Sequence, residues 1–524
     1  MEQKKIAIGI EFGSTRIKAV ALNERAETLA SGEYEWENEY IDSFWSYSLK
    51  KAEEGLSTCF ARLKANFKKR FKEPLVSAGA IGISGMMHGY LVLDEEDHQL
   101  SPFRTWRNTI TPEESDELTE AFGFHIPQRW SICHIYQAIK LRPEEAKRIA
   151  FATTLAGYFH YRLTGQKVVG VGEASGIFPI DPETLSYDQR MVEAFEGLTK
   201  GTVPWRLLDI LPRALPAGAN AGILTEEGAK LLDPSGSFLP GVMLVPPEGD
   251  MQTGMACTNS CRAGTGNISL GTSSNTTILT SKKLGVHKEI DVIVSPTGVQ
   301  AALIHVNNCT TDLNHWVSLF QEVIALSGGQ IKTGELFWRL FNEALHAEED
   351  AGGLLSYNYY SGEAISGIYE GRPLIVIPPN AKLSLANFMR MHLFSLLGTV
   401  RMGVDILEKE EGVKIEKIYG HGGFFKTPVV GQLMLSSALN CPVEISPLAG
   451  EGGPFGMALL ARYALDKIEE ETLEDFLEKR IFVDISTSCL MASPEQREGF
   501  LRFYESYRTC LELERKATEL VKVR

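Results

Sequence analysis

The sequence predicts an α/β protein built from two similar lobes. The chain has 524 residues, of which 44% are hydrophobic and 23% are charged, and a globular chain of this length normally forms two sizeable domains. Strand-like and helix-like patterns alternate along the first half. A strand–turn–strand pattern occurs near the N-terminus and again at mid-chain, with turn glycines at Gly13 and Gly271. This repeated pattern predicts that the two lobes are related.

The two hairpins are the first elements to justify. In the first, residues 6–10 are predicted as a strand, 11–15 as a turn and 17–22 as the returning strand. In the second, residues 268–270 and 276–279 flank the turn that contains Gly271. Both turns are rich in Gly, Ser and Thr, whose backbone N–H groups and hydroxyls are suitable donors to phosphate. We expect each lobe to present one such turn to a cleft between the lobes.

The stretch before the second hairpin predicts a carboxylate at a helix N-terminus. Pro246, Pro247 and Gly249 end any regular element, and the small residues 251–256 can then form a helix that begins beside Asp250. No second carboxylate pairs with Asp250 by any sequence signal, and Gly-x-Ser-x-Gly, P-loop and protein-kinase motifs are lacking from the sequence. Phosphoryl transfer remains, since it needs mainly a base, phosphate donors and Mg²⁺ in position.

Further elements follow in chain order. Apolar residues recur at helical spacing over 49–71, a strand is predicted over 78–84, and 126–140 is typical of a loop that enters a helix. The Pro- and Gly-rich stretch 198–246 marks a boundary near residue 245, which gives domains 1–245 and 246–524.

In the second half a long helix is predicted over 384–408 and a strand over 415–419. Glycines between 450 and 456 open a small-residue helix, which we expect to flank the purine. A capping box of Ser493 and Gln496 starts the final helical region.

Composition excludes several classes of function. The net charge of -15 argues against nucleic acid or an anionic membrane as a partner, so a nucleotide must be held by local donors and a metal ion. The eight cysteines show no disulfide framework, which predicts reduced thiols and a cytoplasmic protein. Cys257 and Cys261 lack a second pair, so no zinc site is predicted. No signal peptide or membrane span is expected from the short apolar run near the N-terminus.

Four segments, in order, resemble motifs of the FGGY family of carbohydrate kinases, within the actin-like ATPase superfamily. They are GIEFGSTRIK, the Gly249-Asp250 pair with its helix, SLGTSS and YGHGGFFKTPVVGQLMLSSALNCPVEI. The resemblance implies an α/β fold of two actin-like (ribonuclease H-like) domains with a catalytic cleft between them. It further implies ATP as the donor, Asp250 as the catalytic base, and Mg²⁺ near Glu11 and Asp250.

The resemblance also implies the binding residues. For the nucleotide they are Gly13, Ser14, Thr15, Arg16, Gly271, Thr272, Ser273, Gly422, Gly423 and Phe424. For the sugar they are Met87, His88, Trp106, Asn108, Asp250 and Gln252. The Met87-His88 pair is similar to xylulokinases and sedoheptulokinases, whereas glycerol kinases carry Arg-Glu there. Gln128, Arg129, Trp130 and His134 remain open as further ligands.

The chain departs from the family pattern at several positions. Glu11 and Asn108 stand where relatives usually have Asp, Met251 follows the base where Gln or Asn is usual, and Ser436-Ser437 replaces an Ala-Asp pair. The expected function is ATP-dependent phosphorylation of a small ketose in carbohydrate catabolism. Pentuloses such as xylulose or ribulose come first, and sedoheptulose or another polyol follows. A non-catalytic sugar and nucleotide sensor is the alternative. No partner beyond sugar and ATP is predicted, with a homodimer left open.

Overall fold

The computed structural model describes residues 2–522. The strands are β1 (Ala7–Phe12), β2 (Arg16–Leu22), β3 (Thr28–Glu35), β4 (Glu39–Ile41), β5 (Phe44–Ser46), β6 (Ala80–Gly85), β7 (Leu91–Leu93), β8 (Phe151–Thr153), β9 (Val168–Gly170), β10 (Ile180–Asp181), β11 (Ser186–Tyr187), β12 (Arg213–Leu215), β13 (Gly222–Ile223), β14 (Met243–Leu244), β15 (Glu248–Gly249), β16 (Thr265–Leu270), β17 (Ser274–Thr280), β18 (Asp291–Val294), β19 (Gln300–Val306), β20 (Leu355–Tyr357), β21 (Leu374–Val376), β22 (Lys417–His421), β23 (Val443–Ile445) and β24 (Ser488–Leu490).

The helices are α1 (Leu49–Phe71), α2 (Pro112–Phe122), α3 (Ser131–Leu141), α4 (Pro143–Ala146), α5 (Leu155–Thr164), α6 (Val171–Ala174), α7 (Gln189–Leu198), α8 (Leu207–Ile210), α9 (Glu226–Leu232), α10 (Asp250–Thr258), α11 (Thr311–Leu326), α12 (Thr333–Glu343), α13 (Leu385–Asp405), α14 (Val430–Leu439), α15 (Gly453–Asp466), α16 (Leu473–Phe476), α17 (Pro494–Thr509) and α18 (Leu511–Leu520). No helix within residues 2–522 is long and apolar enough to cross a membrane.

Local sequence signals explain how the long helices begin. Ser48 caps α1 by accepting a hydrogen bond from the Lys51 N–H, and the apolar stripe that predicted this helix is buried. Helix α17 begins at the predicted capping box, in which Ser493 and Gln496 accept each other's backbone N–H groups. Helix α13 is buried on nearly all sides, so its polar residues are enclosed together with the predicted apolar face.

The chain forms two compact units, each of more than one segment. Unit 1 consists of Met1–Ala263, Gly285–Ala301 and Glu451–Ile485, and unit 2 consists of Gly264–Leu284, Ala302–Gly450 and Ser486–Arg524. The predicted boundary near residue 245 cuts the chain once, whereas the chain passes from one unit to the other five times, after residues 263, 284, 301, 450 and 485. As a result Asp250 and helix α15 belong to unit 1.

The central sheet of unit 1 has the strand order β13–β14–β6–β1–β2–β3, and β15 pairs with β6 beyond β14. Strands β1 and β2 form the predicted antiparallel hairpin, and β1 lies parallel to β6. The core beneath this sheet contains residues of β1, β6 and α1, among them Ile8, Phe12, Ile81, Phe60 and Leu63. The turn that joins β1 to β2 is thereby fixed at one edge of a buried layer.

Unit 2 repeats this construction. Its sheet contains β19–β17–β16–β22–β23–β24, in which β16 and β17 form the second predicted hairpin and β16 lies parallel to β22. In each unit, therefore, the hairpin's first strand has an antiparallel neighbour on one side and a parallel neighbour on the other. This repeat confirms the prediction of two similar lobes.

Candidate functional site

Carboxylates gather where three parallel strands of unit 1 end. Glu11 of β1 and Glu248 of β15 both lie in register with Ser84 of β6. Asp250 follows directly after β15 as the first residue of α10. The carboxyl ends of parallel strands are the usual place for ligands in α/β proteins, and the structure brings the two predicted metal ligands to this edge.

Asp250 is exposed to solvent and its carboxylate is oriented by backbone donors. Its Oδ1 accepts hydrogen bonds from the N–H groups of Met251 at 3.0 Å and Met87 at 3.4 Å. The surrounding protein removes enough water to raise the pKa of Asp250 to about 6, although both backbone donors oppose the shift. An accessible carboxylate with a pKa close to neutral is suited to accepting a proton from a hydroxyl.

Glu11 is partly buried beside Asp250. Burial, and then the charge of Asp250, raise the pKa of Glu11 to about 7, while Lys18 acts in the opposite direction. Gly453, the first residue of α15, makes room for the Glu11 side chain, since a Cβ there would lie 2.6 Å from Glu11 Cδ. Two carboxylates that repel each other are a set of oxygen ligands that a divalent cation would neutralise, so these residues fit Mg²⁺.

His88 occupies a strained backbone position next to Asp250's donor Met87. It has a φ of 67°, which is unusual for a residue other than glycine, and strain of this kind is concentrated at functional sites. Its Nδ1 contacts the carbonyl oxygen of Gly176 at 3.2 Å, and its ring stacks on Trp130 with centroids 6.0 Å apart. Burial, and then the charge of Arg129, lower the pKa of His88 to about 3. The imidazole is therefore neutral at physiological pH.

A charged cluster continues from His88. Arg129 forms an ion pair with Asp291 of β18, and His125 Nε2 lies 3.5 Å from the same carboxylate. Although burial acts to raise it, the pKa of Asp291 is held below its usual range by Arg129 and His125. Arg129, one of the four residues left open as sugar ligands, therefore belongs to a charged cluster beside His88. Sequence reasoning missed Asp291, whose signal was a single acid at the start of the apolar run 290–294.

Gln252 lies behind Asp250 and is fully buried. Its Nε2 donates to the Val294 carbonyl at 2.8 Å. Gln252 Oε1 and Glu173 Oε2 each lie 2.7 Å from the place that a Cβ would take at Gly249. Among the described residues, Gln252 Oε1 and Glu173 Oε2 have no hydrogen-bond partner of normal geometry. Burial also holds the pKa of Glu173 well above its usual range. Burial thus favours the protonated form of Glu173, which carries a hydrogen that it can donate.

Trp106 and Asn108, which were both predicted to bind the sugar, differ in their exposure to solvent. Trp106 is 37% exposed and Arg107 lies over its ring at 5.3 Å from the centroid. Asn108 is buried: its Nδ2 donates to the carbonyls of Trp45 at 2.8 Å and Thr105 at 3.0 Å, and its Oδ1 accepts from the Trp45 N–H at 3.0 Å. Asn108, which stands where an acid was expected from the resemblance, therefore holds the backbone of Trp45. The pairing needs an amide, because Asn108 both donates to the Trp45 carbonyl and accepts from the Trp45 N–H.

The first phosphate turn, Gly13–Thr15, presents backbone donors. Gly13 N–H closes the hairpin on the Arg16 carbonyl at 2.9 Å. The N–H groups of Ser14 and Thr15 donate to no acceptor within residues 2–522. Arg16, also predicted for the nucleotide, forms surface ion pairs with Glu33 and Glu35. The turn therefore offers two free N–H groups, the arrangement that binds anions.

The second turn, Gly271–Ser273, lies in unit 2 and is built in the same way. Gly271 N–H bonds to the Ser273 carbonyl at 3.0 Å, and the N–H groups of Thr272 and Ser273 have no acceptor in the described part of the chain. Gly422 follows β22 next to this turn with a φ of 97°, and a Cβ there would lie 2.8 Å from the Leu270 carbonyl oxygen. The lack of a side chain at Gly422 thus lets its backbone approach the strand that leads into this turn.

The remaining predicted nucleotide residues are placed differently. Gly423 starts a short 3-10 turn and has open space around it. Phe424 is buried in an aromatic cluster, with its ring 5.4 Å from that of Phe425 and 5.6 Å from that of Phe341. Helix α15, expected beside the purine, lies in unit 1 against α10 and β1. Its glycines allow close packing, since a Cβ at Gly453 would lie 2.6 Å from Glu11 Cδ and one at Gly456 would lie 1.9 Å from the Thr253 carbonyl oxygen.

Comparison with known proteins gives the family. The model of the FGGY family of carbohydrate kinases, N-terminal domain, matches residues 6–257, and that of the C-terminal domain matches residues 266–465. A xylulose kinase from Haemophilus influenzae (strain ATCC 51907 / DSM 11121 / KW20 / Rd) is 25% identical, with 96% of this chain and 99% of that protein aligned.

Two solved structures have the same fold. A xylulose kinase from Rhodospirillum rubrum superposes with a TM-score of 0.78 at 17% identity, covering 98% of this chain and 99% of that one. A Plasmodium falciparum glycerol kinase with ADP gives 0.76 at 16% identity, covering 99% of each chain.

The two sheets have matching strand order, and each bears a donor-rich turn. Together with an oriented carboxylate, these features are typical of a phosphoryl-transfer enzyme. Since the two family models between them match most of the sequence, the chain belongs to the FGGY family of carbohydrate kinases. It is a sugar kinase with the two-domain actin-like fold that the sequence predicted.

Proposed function

We propose that this enzyme transfers the γ-phosphoryl group of MgATP to a hydroxyl of a small ketose, with xylulose as the first candidate. The observation that carries the proposal is Asp250, a solvent-exposed carboxylate held by two backbone donors with a pKa raised to about 6. The full-length similarity to a protein named xylulose kinase supports the choice of sugar. Ribulose and sedoheptulose follow as acceptors of the same chemical class.

In this proposal the acceptor sugar is bound by unit 1. Asp250 takes the proton of the attacking hydroxyl, and Met87 orients the carboxylate through its N–H. His88 is neutral, so it binds sugar hydroxyls by hydrogen bonding and not by charge. Arg129, held by its ion pair with Asp291, would donate to a hydroxyl or carbonyl of the sugar.

Each unit has its own candidate phosphate donors. The free N–H groups of the turns at 13–15 and 271–273 would bind phosphate oxygens, and Gly422 and Gly423 would allow backbone to approach the nucleoside. Glu11 and Asp250 would hold Mg²⁺, whose chemistry is to neutralise charge on the phosphates. As the sugar oxygen bonds to the γ-phosphorus, the bond to the bridging oxygen breaks, ADP leaves and the hydroxyl proton passes to Asp250.

The test is ADP release from MgATP with ketopentoses, ketoheptoses, glycerol and gluconate. We expect one ketose to stimulate turnover strongly, and Asp250→Asn to reduce that turnover at least 1,000-fold, on the order of removing a base that the reaction requires. Asp188→Asn is the matched control, because Asp188 is also an acid at a helix N-terminus of unit 1 and caps α7, a role that Asn retains.

Three outcomes would contradict the proposal. Full activity of Asp250→Asn would show that Asp250 is not the base. Stimulation by glycerol or gluconate alone would show that the acceptor is not a ketose. If no sugar stimulates turnover although MgATP binds, the sensor becomes the better account, since Glu11 in place of Asp would then have disabled phosphoryl transfer.

A further inference from the structure

The carbonyl oxygens of the first phosphate turn are all bound from one side. The indole Nε1–H of Trp36 donates to the Gly13 carbonyl at 2.7 Å, and the Tyr47 hydroxyl donates to the Ser14 carbonyl at 2.6 Å. The backbone N–H of Trp36 donates to the Thr15 carbonyl at 3.1 Å. The C=O of Gly13 shares a peptide unit with the N–H of Ser14, and the C=O of Ser14 shares one with the N–H of Thr15. Because the two groups of a trans peptide unit point in opposite directions, the first two bonds direct the free N–H groups of Ser14 and Thr15 away from the Trp36 and Tyr47 side chains.

Trp36 and Tyr47 form a rigid pair. Their rings stack with centroids 4.3 Å apart and an interplanar angle of 29°, and they are only 7% and 3% exposed. Trp36 also packs on Phe12, whose side chain lies in the core of unit 1. The donors that hold the turn are therefore themselves fixed by packing.

The second turn shows the same arrangement made by different groups. The N–H and the hydroxyl of Thr310 both donate to the Gly271 carbonyl, at 3.0 and 2.7 Å, and the Cys309 N–H donates to the Thr272 carbonyl at 3.1 Å. Two turns of unrelated surroundings thus have their carbonyls bound and their N–H groups free. In the first turn, however, two of the three donors are side chains, so they can be removed by substitution.

We infer that Trp36 and Tyr47 are positioning residues for phosphate binding. They keep the carbonyl oxygens of residues 13–15 away from the nucleotide and direct the Ser14 and Thr15 N–H groups to its polyphosphate. Without the Tyr47 hydroxyl, the Ser14 peptide loses its fixed orientation, and its carbonyl dipole can turn towards the anion. The inference rests on the proposed function only in taking the bound anion to be a nucleoside polyphosphate.

Tyr47→Phe is the direct test, since it removes one hydroxyl and leaves the stacked ring. Tyr463→Phe is its matched control: the Tyr463 hydroxyl donates to the Glu471 carbonyl at 2.6 Å and is part-buried in the same unit. Calorimetry should show MgATP and ADP binding to Tyr47→Phe five- to tenfold more weakly than to wild type, the effect of about one net hydrogen bond. Adenosine, which lacks phosphate, should bind both variants like wild type.

A second variant and a kinetic measurement complete the test. Trp36→Phe, which removes the indole donor, should weaken MgATP binding to a similar degree. In steady-state kinetics, Tyr47→Phe and Trp36→Phe should each raise the KM for MgATP, while the KM for the sugar stays within twofold of the wild-type value. Unchanged ADP affinity in both variants, or equal losses for ADP and adenosine, would overturn the inference. Because binding is measured without turnover, failure of the sugar panel would refute the proposed reaction and leave this result interpretable.

Discussion

Gly453→Ala tests how the longer acid at position 11 is accommodated. A Cβ at Gly453 would lie 2.6 Å from Glu11 Cδ, closer still to Oε1, and 3.1 Å from Thr253 Oγ1, whereas ordinary contact begins at 3.4 Å. The Glu11 carboxylate must therefore move by about 1 Å. A displacement of about 1 Å in a reacting site costs roughly 100-fold in rate, so we expect kcat to fall by about that factor.

Stability should fall by less than the clash alone would suggest. Gly453 opens α15, and alanine is more favourable than glycine in a helix by up to about 1 kcal/mol, which offsets part of the clash. A steady-state assay beside a urea unfolding curve separates the two effects. Gly197→Ala is the control, because Gly197 lies in α7 of the same unit and a Cβ there meets nothing within 4 Å.

A double variant decides whether the clash with Glu11 is the cause. Glu11→Asp shortens the side chain by one C–C bond, about 1.5 Å, and withdraws the carboxylate from position 453. Glu11→Asp with Gly453→Ala should therefore be more active than Gly453→Ala alone, and the double-mutant cycle should give a coupling free energy above about 1 kcal/mol. Additive losses, or full activity of Gly453→Ala, would refute the reasoning.

Three further predictions concern unit 1. Burial raises the pKa of Glu173 above its unfolded value, so the contribution of this group to stability is fully present below about pH 4.5 and falls by up to about 1.4 kcal/mol per pH unit above it. Glu173→Gln cannot ionise, so its urea unfolding free energy should exceed that of wild type at pH 8 but not at pH 4; a constant difference would contradict this.

Asn108→Asp places an acceptor opposite the carbonyls of Trp45 and Thr105 and should lower the unfolding free energy by about 1–3 kcal/mol; a wild-type unfolding midpoint would argue against the assigned bonds. Asp291→Asn releases Arg129 and should raise the sugar KM about tenfold with the nucleotide KM unchanged, which initial-rate kinetics will test.

Much of the fold was predictable because its signals are local. The turn glycines at 13 and 271, the apolar stripe of α1 and the capping box of α17 each act on neighbours within a few residues, and the structure confirms them. The family resemblance likewise rested on four short motifs, and it predicted Asp250 as the base before any geometry was known.

The residues that surround the site could not be predicted from local sequence signals. Trp36 and Tyr47 were passed over because neither carries a motif, and their role appears only where a side chain meets a carbonyl 23 or 33 residues away. Asp291 becomes part of the site through its pairing with Arg129, 162 residues distant in sequence. Such contacts depend on packing, which periodicity does not encode.

The two related hairpins, the α/β class, the family resemblance and the acid at the head of α10 could all be inferred from the amino-acid sequence. The folded chain was needed to show that the units are discontinuous, that α15 packs beside Glu11, and that Asn108 holds Trp45. The difference lies in the sequence separation over which each interaction acts. Turn, cap and amphipathic preferences are set by residues close in sequence, whereas burial, pKa shifts and the space left by a missing Cβ are set by residues that folding brings together.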